Sequence, residues 1–212
     1  MVVTVGLRER NAAHTRELLL NSALDLFVEQ GYEATRMEEV AERADVGVST
    51  LYRYFPTKDR LVVDPLALHG QMAAELRARP AEESLELALG RALTVLINTP
   101  RPESRRLRQL VSVVEATPTV QLRLLAEFEG ERRLLEEAIA ERLGRPGDDL
   151  FCLMTARITT SVLELLGTTA PGEDDEDADL DNDAAIEHAM GRLSYLLEQL
   201  RREPPVLPRL DT

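Results

Sequence analysis

Apolar residues recur at helical spacing along most of the chain, and no run alternates with the two-residue period of a strand. Leu18, Leu19, Ala23, Leu24 and Phe27 share one face of a helix predicted over 10–30, which Gly31 stops. Thr35 with Glu38 three positions on makes a capping-box pattern, so a short second helix is predicted over 36–44. After Asp45-Val46-Gly47 a third covers 48–54 and ends before Phe55-Pro56. Thr57, Asp59 and Arg60 open a fourth that should run toward Arg79, bent at Pro65.

Beyond Pro80 the amphipathic segments lengthen. Helices are predicted over 81–98, 103–116, 119–143, 148–166 and 184–202, each bounded by proline, glycine or both. Phe151, Met154, Ile158, Val162 and Leu165 form one stripe of the fourth of these. In the last, Ile186, Met190, Leu193, Leu197 and Leu200 alternate spacings of four and three, the narrow seam of helix-on-helix pairing. The expected fold class is all-α, about nine helices, with a small N-terminal three-helix head and a larger helical remainder. The acidic loop 172–183 fails as a calcium site: counted from Asp177, the glycine and glutamate positions hold Asn182 and His188. It reads as a solvated connector.

Composition narrows the class. No apolar run reaches the ~18 residues of a membrane span. The first residues lack a basic segment followed by an apolar stretch, which argues against a secretory leader, and the lone Cys152 fits a reducing, cytoplasmic setting. Net charge is −13, unevenly spread. Up to Arg60 eight bases face ten acids, a balance of −2, so the remainder carries −11. A nearly neutral head on a strongly acidic body suggests two jobs, and a repelling body discourages a polyanion from the wrong face.

The informative chemistry lies between Gly31 and Leu61: two short helices joined by a tight turn behind a packing helix. Val40, Ala41, Ala44, Val46 and Leu51 supply the inner face, leaving Val48, Ser49, Thr50, Arg53 and Tyr54 around the exposed start and flank of the third helix. A helix presented this way fits a major groove, its first residues against base edges. Thr35, Tyr52, Tyr54 and Lys58 flank it with hydroxyls and a cation suited to phosphate oxygens.

This segment resembles the DNA-binding region of the tetracycline-repressor (TetR) family of bacterial transcription regulators. The resemblance rests on Phe27, Gly31-Tyr32-Glu33-Ala34-Thr35, Val40-Ala41, Ala44, Val46, Thr50-Leu51-Tyr52, Tyr54-Phe55 and Lys58. It implies a helix-turn-helix domain over 1–60, an effector-binding and dimerisation domain over 61–205, and a tail over 206–212. It further implies a homodimer seamed by the last two long helices, double-stranded operator DNA as partner, and a small effector that releases the operator. No cofactor is implied.

Carried over by position, Thr35 and Arg36 stand at phosphate-contacting places. Val48, Ser49, Thr50 and Arg53 stand at groove-facing ones, and Tyr52, Tyr54 and Lys58 at backbone-contacting ones. Three positions depart from the pattern. Gly47 replaces the frequent serine cap, Asp45 stands where glycine is usual, and Glu38 sits where a basic residue is common. Val48 offers no hydrogen bond and reads at most a thymine methyl.

Alternatives stay open at several residues. Tyr52 packs between helices or meets phosphate, Arg53 is solvated or meets DNA, and Arg8 with Arg10 is a minor-groove arm or a disordered tail. A helical adaptor with an acidic surface for basic partners is the rival function. An enzyme has poor material: His14, His69 and His188 are scattered, and Gly144-Arg145-Pro146-Gly147 is a turn, not a phosphate loop. Cys152 on an apolar stripe reads as a buried small hydrophobe. Polar residues embedded in apolar helices, Thr94, Ser112, Glu115, Arg157 and Thr160, are the effector-site candidates. A cavity-lining Arg157 would favour an anionic or acyl-type ligand; a salt-bridged or dimer-surface arginine is the weightier alternative.

Overall fold

The computed structural model describes residues 6–98, 104–168 and 182–204, and every regular element among them is a helix. In order these are α1 (Leu7–Gln30), α2 (Met37–Arg43), α3 (Val48–Tyr54), α4 (Arg60–Val63) and α5 (Gln71–Ala78). There follow α6 (Leu85–Asn98), α7 (Ser104–Ala116), α8 (Pro118–Leu143), α9 (Leu150–Thr168) and α10 (Asn182–Arg202). The acidic segment 172–181 and the tail 206–212 lie outside the described residues.

The single bent helix expected between Thr57 and Arg79 is two. Pro65 brings no N–H to continue α4, and His69 (φ 51°) with Gly70 (φ 79°) turns the backbone left-handed before α5. A residue with a Cβ at His69 bears that geometry at some cost, which marks the connector as fixed by its surroundings.

The chain divides into two compact units. The first joins Met1–Ala67 to Arg105–Glu127, and the second joins Leu68–Ser104 to Phe128–Thr212. These packing units differ from a division after residue 60: α7 beyond its first residue and the first part of α8 pack with the head. Leu110, Val113, Val114 and Val120 sit in the head core beside Leu24, Phe27, Val40, Leu51, Phe55 and Val62. There α1 packs on α2 and α4, and α2 on α3. Arg106 reaches Asp25 at 3.4 Å and Arg123 reaches Asp59 at 3.4 Å, so ion pairs reinforce the same association.

In the second unit α5 packs on α6, and α10 on both α6 and α9. Its core gathers Met72, Leu76, Ala92, Leu96, Leu135, Ile139, Cys152 and Ala156. The seam of α10 is spent inside this unit: Leu193 is buried, and Ile186, Met190, Leu197 and Leu200 pack against the same core. On α9 the stripe read from sequence splits. Val162 is buried, whereas Phe151, Met154, Ile158 and Leu165 are exposed.

Of the two buried acids among this unit's described residues, Glu136 and Glu131, Glu131 is the more deeply buried. Its carboxylate accepts from Gly70 N at 2.5 Å and Met72 N at 3.0 Å, closing the start of α5 from across the fold. Arg142 braces the α5–α6 connection by donating to the carbonyls of Arg79, Pro80 and Glu83. Cys152 is fully buried, its thiol pushed up chiefly by burial and further by Asp149. A thiol so held is a poor nucleophile.

Candidate nucleic-acid interface

The head is built on the turn between α2 and α3. Ala44 ends α2, Asp45 takes the left-handed conformation (φ 52°), and two bonds close the turn: Asp45 N to Glu42 O at 3.1 Å and Val46 N to Ala41 O at 2.9 Å. This is a Schellman motif with aspartate in the place glycine usually takes, and aspartate tolerates the conformation better than most residues. Gly47 then caps α3, its carbonyl accepting from Thr50 N and Leu51 N.

Leu51 and Phe55 are completely buried, which fixes the rotation of α3. The opposite side is thereby turned outward: Val48 is 41% exposed, Ser49 and Arg53 are exposed, and Thr50 and Tyr54 are half-buried. Arg53 lies with its guanidinium carbon 5.5 Å from the centre of the Tyr54 ring, which orders it without neutralising it. Val48, Ser49, Thr50 and Arg53, three of them hydrogen-bonding, lie at the start and flank of one short helix and form a surface that can meet base edges.

The flanking residues are arranged differently from a row of phosphate contacts. Thr35 is only 2% exposed; its hydroxyl donates to Gly31 O at 2.9 Å and accepts from Gln30 Nε2 at 3.3 Å. It braces the α1–α2 turn from inside. The cap of α2 is Arg36, one residue later than the Thr35–Glu38 pattern suggests. Glu39 accepts from Arg36 N at 2.9 Å and from its guanidinium at 2.9 and 3.2 Å, so its carboxyl is held below the usual range by those bonds.

Lys58 is tied down as well. Its ammonium donates to the carbonyls of Tyr32 at 2.8 Å, Thr35 at 3.1 Å and Glu33 at 3.3 Å, which uses all three of its protons. It also lies 4.3 Å from the centre of the Tyr32 ring, itself 5.1 Å from Phe27. Tyr52 is exposed at 41%, and its hydroxyl donates to Glu38 Oε1 at 3.3 Å. Arg43 pairs with Glu29 at 2.5 Å. Arg8 and Arg10 fall within α1, exposed, so they form neither an extended arm nor a tail.

Arg16 carries no signal in the sequence, yet it ties three elements together. Its guanidinium packs 4.6 Å from the Phe55 ring centre and pairs with Asp64 at 3.0 Å. A basic residue on an otherwise polar face of a helix looks the same whether solvated or bridging.

The five effector-site candidates are divided between the two packing units. Ser112 and Glu115 are exposed on α7 in the first unit; Thr94, Thr160 and Arg157 belong to the second. The Thr94 hydroxyl donates to Gly90 O at 2.9 Å, and the buried Thr160 hydroxyl lies 3.1 Å from both Ala156 O and Arg157 O. Their protons stay on their own helices. Arg157 is exposed, as its surface alternative requires. No group of His, Cys, Asp and Glu among the described residues is arranged to hold a metal ion, and none of their helices is long and apolar enough to cross a membrane.

Residues 19–64 match the profile of the bacterial regulatory proteins of the tetR family, and 83–193 match the MftR C-terminal domain. The HTH-type transcriptional regulator TcmR of Streptomyces glaucescens is 31% identical over 198 residues, spanning 89% of this chain and 86% of TcmR. The HTH-type transcriptional repressor KstR of Rhodococcus jostii is 56% identical over 52 residues, 24% of either chain. Among solved structures, the SmeT–triclosan complex matches with a TM-score of 0.50 at 20% identity, covering 84% of this chain and 90% of that one. With its head and most of its body each matched, and nearly its whole length shared with one such regulator, the chain belongs to the TetR family and is a DNA-binding regulator of transcription.

Proposed function

We propose that the chain is a homodimeric repressor that holds a pseudo-palindromic operator through two copies of α3 and is released by a small molecule bound in its helical body. The observation that carries this reading is the outward tip of α3, with Val48, Ser49, Thr50 and Arg53 presented on a rigid base of Leu51 and Phe55. Two such tips ~34 Å apart reach successive major grooves. Arg36 and Tyr54 lie beside the tip and supply backbone contacts; Thr35 and Lys58 hold the shape that makes those contacts possible.

Dimerisation is supported by the outer face of α9, where Leu150, Phe151, Met154, Ile158 and Leu165 are exposed, and by Tyr195 of α10, 62% exposed. Apolar side chains at that spacing on one helix call for a partner, and a second copy gives the symmetric solution. The repressor sense follows the name of KstR, whose head this one resembles over most of its length, and the binding of a small molecule follows the triclosan complex of SmeT. An effector acts only by binding better to the arrangement of heads that misfits the operator spacing.

Selection of duplexes from a random pool by the purified chain tests the reading. A palindromic consensus, bound by two chains and weakened steeply by salt, is the expected result. Enrichment of no duplex, or a chain that remains a monomer with Phe151 and Ile158 intact, overturns it.

A further inference from the structure

We propose that Glu38 is a positioning residue for DNA contact: its carboxylate competes with the duplex for the single proton of Tyr52 and so sets how tightly the head grips any backbone. The proposal rests on the reading that α3 enters the groove, and it concerns what happens at its edge.

The bond between Tyr52 and Glu38 Oε1 is 3.3 Å long, and both side chains are exposed on the flank of the tip. A phenol has one proton to give, and a phosphate oxygen only accepts. While that proton points at Glu38, Tyr52 turns a lone pair toward an approaching phosphate and cannot bind it. Docking there requires the hydroxyl to rotate away from the carboxylate. The separation is longer than an ordinary O–H···O bond, so the bond is weak and the exchange is within reach of a docking duplex.

Rotation leaves the Glu38 carboxylate without its hydrogen bond from Tyr52 and beside a phosphate of like charge. Arg36 lies close enough to feel that charge but is paired with Glu39; Arg43 is paired with Glu29, and Lys58 keeps its charge while its three protons go to carbonyls. Arg53 has no carboxylate partner among the described residues, but it stands at the groove-facing end of the surface. Glu38 therefore weakens backbone contact at every sequence, and an operator must make up the loss through bases.

The test uses the full chain and the duplex it enriches from a random pool, with a scrambled duplex as control. Binding is measured across salt for wild type, Glu38→Ala, Tyr52→Phe and the double variant, with thermal melts for each. Glu38→Ala is expected to tighten both duplexes several-fold and to steepen the dependence on salt by about one counterion. Tyr52→Phe should change little alone and weaken binding several-fold in the Glu38→Ala background. Glu38→Gln keeps shape and fold, loses the charge, and should move the same way by less. Equal effects of Tyr52→Phe in both backgrounds, or weaker binding by a Glu38 variant with an unchanged melt, overturn the proposal. If wild type enriches no duplex, the groove reading beneath it fails first and this falls with it.

Discussion

The ammonium of Lys58 sits 2.8 Å from the carbonyl oxygen of Tyr32 and 4.3 Å from the centre of that residue's ring. One side chain thus fastens the segment after α3 to the turn between α1 and α2, through charge, hydrogen bonds and an aromatic face together. Hydrogen bonds from a charged donor are stronger than neutral ones, and each carbonyl they satisfy would otherwise need water.

Lys58→Met should therefore lower stability by roughly 2 kcal/mol, read from the urea midpoint, before any effect on DNA is considered. DNA affinity falls for all sequences alike, as loss of a phosphate contact would also produce; the drop in midpoint separates the two. Lys58→Arg does not restore it, because a planar fork cannot point at three converging carbonyls. An unchanged midpoint in Lys58→Met would return the residue to the backbone-contact role.

On the proposed reading, Thr50 and Arg53 are the side chains that set base preference. Thr50→Ala should relax selection at one base pair of each half-site by about 1–3 kcal/mol while leaving affinity for scrambled duplex nearly unchanged. Arg53→Ala should relax a neighbouring position and also flatten the salt dependence. A uniform loss at all sequences from Thr50→Ala would place Thr50 on the backbone instead.

Gly47 is a cap that can be improved. Its backbone is ordinary for a non-glycine residue (φ −60°, ψ 137°), and a Cβ there meets nothing within 4 Å. Gly47→Ser supplies a hydroxyl to the first N–H groups of α3 and should raise stability by a few tenths of a kcal/mol, about 1–2 °C in melting temperature. Gly31 is the contrast: at φ 88° any side chain is strained, so Gly31→Ala should destabilise.

Burial, and after it the charges of Asp59 and Glu33, pushes the Tyr32 phenol up to about 12. An unfolded tyrosine ionises near about 10. The folded head holds that proton more tightly, so its contribution is whole below about pH 10 and is lost as pH rises toward about 12. In an alkaline titration followed by ultraviolet absorbance and circular dichroism, the late-ionising tyrosine should appear together with helix loss. Tyr32→Phe should remove that late phase; ionisation of Tyr32 near about 10 with helices intact would contradict the assignment.

Glu131→Gln replaces an acceptor of two backbone N–H groups with an amide that can accept at one atom only. One buried N–H at the start of α5 then faces an NH2, and the second unit should lose about 1–3 kcal/mol, seen as an earlier urea transition. Glu131→Asp, too short to reach both, should fall in the same direction.

Periodicity and punctuation in the chain determined that it is helical, where most helices begin and end, and which short helix is held outward by Leu51 and Phe55. Those properties are set by neighbours three and four residues apart, so they are written locally. The tertiary structure decided which polar side chains are free. Thr35 and Lys58 look like phosphate ligands in sequence, yet one braces a buried turn and the other is claimed by carbonyls 23 to 26 residues away. It likewise decided that the α10 seam is used within its own unit, that α9 is left with an apolar outer face, and that Glu131 caps a helix some 60 residues distant. A side chain's donors and acceptors go to whatever the fold brings within about 3 Å, and no spacing along the chain encodes which distant backbone that will be.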